Sequence, residues 1–192
     1  MYLTSLFIYC FIVTFTPGPT NIVILSTVNN FGTKKAMRYT FGATIAFGFL
    51  LVISALLNTM LITVVPKILL VMQIIGSFYM FYLAYQIYKM DTSKTTAEKH
   101  TGTFLSGFLM QFLNPKVVLF TMTVIPSYVM PHYQEASEVS MSVIAITFVG
   151  FLAFVTWVAF GTIFKKFLQK HKKSVNGIMA LFLALAAIMI WI

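Results

Sequence analysis

The sequence predicts an all-α polytopic membrane protein. Its six transmembrane helices form two inverted three-helix repeats, with helices one and four broken near their middles. Three observations predict it. The 192 residues are 59% hydrophobic and 9% charged, where a soluble domain carries about 25% charged residues, so a water-facing surface cannot be built. Several apolar stretches reach the roughly 20 residues that a spanning helix needs. Two of them, in corresponding places of the two halves, carry prolines at their centres.

The first span runs over about 3–28 and contains FTPGPTN. Pro17 and Pro19 lack an N–H and Gly18 permits unusual dihedrals, so a continuous helix stops there. It resumes around Pro19–Thr20, with proline suited to the first turn and Thr20 or Asn21 able to cap. No Lys or Arg precedes Lys34, so the charged start of a cleavable signal is missing and this helix is expected to stay attached. NNFGTKKAMR leads to span two, about 39–58, and a short NTMLITVV turn to span three, about 66–88. KMDTSKTTAEKHTGT precedes span four, about 104–129, where Asn114-Pro115-Lys116 falls near the midpoint. MPHYQEASE and the basic KKFLQKHKK introduce spans five and six, about 139–164 and 174–192. The whole chain, 1–192, reads as one domain, with repeat one about 1–92 and repeat two about 101–192.

Charge sets the expected orientation. Eleven of the thirteen basic residues lie in the odd-numbered connections: Lys34, Lys35 and Arg38, then Lys89, Lys94 and Lys99, then five between Lys165 and Lys173. By the positive-inside rule these face the cytoplasm and both termini lie outside. The net charge of +9 is thereby a topology signal, and no nucleic-acid partner is expected. Trp157, Trp191, Tyr82, Tyr85 and Tyr88, near span ends, suit the aromatic belts. A single cysteine, Cys10, leaves no internal disulfide or Cys-based metal site. His100, His132 and His171 lie in connections, and GxSxG, HExxH and intramembrane carboxylate pairs are all missing, so an enzyme is not expected.

Three spans per half is an odd number, so a duplicated unit must lie upside down. The two breaks then face each other at the midplane, the plan of many secondary transporters. Gly76 and Gly177 align in the third helix of each half. Lys116 is the only charge deep in a span; even on a lenient scale it costs about 2.5–3.5 kcal/mol there, so something must compensate. One compensation is donation to carbonyls freed by Pro17, Pro19 or Pro115. Another is an anion, which the ammonium and the half-helix N-termini together favour. Asp91, Glu98, Glu135 and Glu138 all lie in connections, so the site supplies no counter-ion of its own and suits a carboxylate. The expected binding residues are Pro17, Gly18, Pro19, Thr20, Asn21, Gln111, Asn114, Pro115 and Lys116.

These motifs carry a family resemblance. Pro17-Gly18-Pro19-Thr20-Asn21, GTKKAMRYTFGATIAFG, Asn114-Pro115-Lys116 and the glycines Gly76 and Gly177 together resemble the LysE/RhtB family of amino-acid exporters, over nearly the full chain. The resemblance implies a bacterial cytoplasmic-membrane protein exporting amino acids or close derivatives, with no cofactor and with the proton or membrane potential as driving force. Within that frame we expect the substrate carboxylate between the half-helix N-termini near Thr20 and Asn21 with Lys116 as its charge partner, Asn114 and Gln111 for the amino group or nearby backbone, and a desolvated Lys116 to carry the coupling proton. Many members have an acidic residue in helix two, where Gly42 and Ala46 are here followed by Phe47; that departure argues for a neutral amino acid. The small faces at Ala180, Ala184 and Ala187 suit either a homodimer or another helix of the same chain. Gly42, Ala46, Gly48, Gly107, Gly150 and Gly161 serve close packing or helix sliding. An anion or small-solute channel with the same paired half-helices is the alternative; a membrane subunit without a substrate is a third reading.

Overall fold

The computed structural model describes residues 2–89, 102–133, 135–189 and 191, all of the secondary structure in them helical. Lys94, Lys99, Asp91, Glu98 and His100 of the third connection lie outside the described residues.

Helix α1, Tyr2–Phe15, ends where Pro17 forbids its continuation, and α2, Pro19–Phe31, leaves at a bend of 47°. Only Gly32 separates α2 from α3, Thr33–Leu56. Its φ of 86° lies in the left-handed region that a residue with a side chain resists, and its N–H returns to the Val28 carbonyl at 3.0 Å. The connection expected over NNFGTKKAMR is thus almost wholly helical. The expected NTMLITVV turn is likewise replaced, because α4 already starts at Asn58 and runs to Lys89. The helix passes through position 66, where span three was expected to begin.

The second half opens with a capping box. Thr103 accepts from the Ser106 N–H while the Ser106 hydroxyl accepts from the Thr103 N–H, which starts α5, Phe104–Leu113. After Asn114, α6 (Pro115–Val124) departs at 68° and finishes in a π-helical turn, Ile125–Val129. Helix α7 covers Ala136–Ile163; α8 (Lys165–Lys170) carries the basic run, and α9 spans Lys172–Met189. Among the described residues α3, α7 and α9 are long and apolar enough to cross a bilayer, as are α1–α2 and α5–α6 if each bent pair is one span. The outer faces are apolar, with Phe78 73% and Ile144 70% exposed. That is a lipid-facing surface, and the chain is a multi-pass membrane protein.

Lipid is as apolar as the core, so packing rather than water exclusion must hold the helices together. Small residues let them close up. A Cβ on Gly42 would run into the Phe104 carbonyl, one on Gly107 into the Tyr39 carbonyl, and one on Gly76 into the Leu113 carbonyl. Gly150 sits against the Phe47 ring, with 2.5 Å from an added Cβ to the nearest ring carbon. Gly177 meets nothing, so the glycines aligned in the third helices do different work. Ala180 and Ala187 are buried in the chain's own core, with Ala184 packed beside them. Two apolar clusters result: one joins α2, α3, α4, α5, α7 and α9 around Ile24, Met80 and Leu183, and the other joins α1, α3, α6 and α7 around Phe47, Leu51 and Phe120. The broken helices meet at their seam.

Candidate functional site

A helix that stops inside the membrane strands its last carbonyls, and each must find a donor. At the PGP break the donors are side chains. Asn21 Nδ2 donates to the carbonyls of Thr14 (3.3 Å) and Thr16 (2.9 Å). Trp157 Nε1 of α7 donates to the Phe15 carbonyl at 3.3 Å, and Lys116 Nζ donates to the Thr16 carbonyl at 3.1 Å. The hydroxyl of Thr16 folds back onto the Ile12 carbonyl. Lys116 therefore makes the contact to a freed carbonyl that was one of its two expected compensations. An ammonium has three donors, so this bond leaves others available.

The start of α2 is different from the expectation. Gly18 is the N-cap, so neither Thr20 nor Asn21 caps, and no side chain serves the first-turn N–H groups. With proline at the first helical position, the cap falls one residue earlier. Thr20 Oγ1 instead accepts two hydrogen bonds from the other break, from Gln111 Nε2 at 3.1 Å and Asn114 Nδ2 at 3.0 Å. Both lone pairs are then filled, which leaves this hydroxyl free to act only as a donor. At the NPK break, Asn114 caps α6 itself: its Oδ1 accepts from the Lys116 N–H at 3.2 Å, and its carbonyl accepts from the Val117 and Val118 N–H groups at 3.0 and 3.1 Å. The second half-helix N-terminus is closed by its own residues. Asn114 is thus committed at both ends of its amide, and the Gln111 amine is committed to Thr20.

The nine expected residues come together. Eight of them (Pro17, Gly18, Pro19, Thr20, Asn21, Asn114, Pro115 and Lys116) border one or both of two cavities, and Gln111 is fully buried, donating to Thr20. A small space of about 30 Å³ lies against Asn21, Thr20 and the rings of Phe47, Phe120 and Phe154. On the other side a groove of about 810 Å³ opens between the breaks and α9, with Phe182, Leu185 and Met189 on its α9 wall. Gly18, Asn114 and Lys116 border both, so the lysine stands between them. A Cβ added to Gly18 would lie 3.3 Å from Lys116 Nζ, so glycine is what lets the ammonium approach the break. Sequence reasoning missed Trp157, assigned to an aromatic belt, and missed the three phenylalanines. Their partners are more than a hundred residues away or on other helices, and no local pattern marks them. Among the described residues no group of three or more His, Cys, Asp or Glu side chains could hold a metal.

A family model described as LysE type translocator matches residues 11–192. Proteins named cysteine/O-acetylserine efflux protein from Escherichia coli strain K12 and from Shigella flexneri are each 25% identical to this chain over 189 residues, covering 98% of it and 97% of their own length. No solved structure matches. Translocators move solutes and do not transform them, so the chain is a transporter and no enzyme. It belongs to the LysE type translocator family.

Proposed function

We propose that this protein is a secondary active exporter of neutral amino acids or close derivatives across the bacterial cytoplasmic membrane, binding the substrate carboxylate at the meeting of the two breaks. The observation that carries it is the donor set. The Thr20 hydroxyl is left only a proton to give, the first turn of α2 has no cap, and Lys116 keeps donors beyond its bond to Thr16. Three kinds of donor with no carboxylate among the bordering residues make a site for an anion. The groove supports a neutral side chain, because its α9 wall offers carbon and no acid for a second cation. The relatives named for cysteine and O-acetylserine efflux point to small neutral amino acids as well.

In this reading α1–α4 and α5–α9 are inverted repeats, α4 with its 32 residues being the remaining span, and both termini face outward. Binding would draw Lys116 from the Thr16 carbonyl to the substrate, loosening the hold between the breaks that alternating access must release. The driving force is the proton or membrane potential. A channel is disfavoured because the NPK half-helix has closed its own N-terminus, so the two halves do not offer a matched pore. Mass spectrometry of amino acids inside and outside expressing cells tests the proposal, comparing wild type with Lys116→Ala at matched membrane levels. One or a few neutral amino acids should accumulate outside with the wild type and not with the variant. Equal profiles, with both proteins inserted, would refute it.

A further inference from the structure

Resting on that reading, we propose that the small cavity beside Asn21 is the subsite for the substrate's α-ammonium, formed by Asn21 Oδ1 and the rings of Phe47, Phe120 and Phe154. Asn21 is 4% exposed and borders the cavity, and its two amide ends have different fates. Nδ2 is committed to the Thr14 and Thr16 carbonyls, while Oδ1 has no hydrogen-bond partner among the described residues. A buried acceptor without a partner is costly, and here it belongs to a side chain whose amide orientation is fixed by its two donor contacts. The missing partner must be a donor. The space there, about 30 Å³, has room for a small donor such as water or an ammonium.

The rings decide between those two. Three phenylalanines from three helices, α3, α6 and α7, border the cavity, with Phe47 and Phe120 at 5.8 Å and Phe47 and Phe154 at 6.4 Å between centroids. Aromatic faces attract a cation and offer little to neutral water. An α-amino acid carries its ammonium one carbon from its carboxylate. A carboxylate on Lys116 and Thr20, which border the same cavity, therefore places the ammonium within reach of Asn21, and the side chain is left to the groove. Gln111 and Asn114, expected from the sequence to serve the amino group or nearby backbone, direct their amide nitrogens to Thr20.

The test compares wild type, Asn21→Leu and Phe154→Leu in proteoliposomes, measuring transport of each exported amino acid against its α-hydroxy acid analogue, in which a hydroxyl replaces the ammonium. Wild type should favour the amino acid by about tenfold to a hundredfold, and both variants should narrow that ratio. A structural role alone would lower both rates together and leave the ratio intact; Phe154→Leu touches no hydrogen bond of the break and reads the ratio if Asn21→Leu fails to insert. An unchanged ratio in the inserted variants would overturn the subsite and assign the cavity to water. Transport of neither compound by the wild type would instead overturn the export reading itself.

Discussion

The two breaks look alike in sequence and behave oppositely. The PGP break borrows: its stranded carbonyls take donors from Asn21, Lys116 and Trp157, and its outgoing helix starts uncapped. The NPK break is self-sufficient, with Asn114 closing α6 by side chain and backbone, and it lends Gln111, Asn114 and Lys116 to its neighbour. The lesson concerns Asn-Pro against Gly-Pro. Asparagine before a helix-starting proline brings its own cap, whereas glycine brings none. One break is therefore a rigid donor platform and the other an unfinished surface that a ligand can complete.

That contrast can be broken in graded ways. Removing the charged part of the loan with Lys116→Ala should lower export by about tenfold to a hundredfold, the worth of a charge-assisted bond, read as extracellular amino acid at matched expression. Lys116→Arg keeps the charge and should retain more. Thr20→Val should come next, because it leaves the Gln111 and Asn114 donors buried without their acceptor, at about 1–3 kcal/mol each; thermal unfolding in detergent would show it, with export reduced in parallel. Gly107→Ala tests whether the lending platform is held fixed. Its new Cβ would strike the Tyr39 carbonyl and should cost about 1–3 kcal/mol in the same assay. Asn114→Ala removes the cap of α6 and should cost about 1 kcal/mol from capping, making the two breaks alike. Trp157→Phe should cost least, about 0.6 kcal/mol for one hydrogen bond inside a membrane protein. Loss of export in that variant larger than in Thr20→Val would reverse the ranking.

Much of this was legible beforehand because proline acts locally. Pro17, Pro19 and Pro115 mark both breaks to within a residue, and the expense of Lys116 in lipid identifies the place where charge must be answered. The connections were less legible. Gly32 alone turns the chain, since a glycine at positive φ can do in one residue what polar composition suggested needed ten. Trp157 was misplaced because a tryptophan near a span end reads as a belt residue, and its indole partner, the Phe15 carbonyl, becomes available only through the break 142 residues away. The hydrogen bonds of Gln111 and Asn114 to Thr20 were not legible for the same reason: a side chain at a break can serve the substrate or the opposite break, and sequence does not say which.

The central claim is that the substrate is held by its carboxylate where Lys116 meets the uncapped start of α2. Binding of an exported amino acid and of its carboxamide, measured by calorimetry on purified wild type and Lys116→Gln, tests it most directly. The amide is nearly the same size, carries no negative charge and puts an NH2 donor where the acid has an acceptor oxygen. The account predicts that wild type binds the acid at least about tenfold more tightly than the amide, and that Lys116→Gln removes most of that difference. Equal binding of acid and amide by the wild type would contradict it.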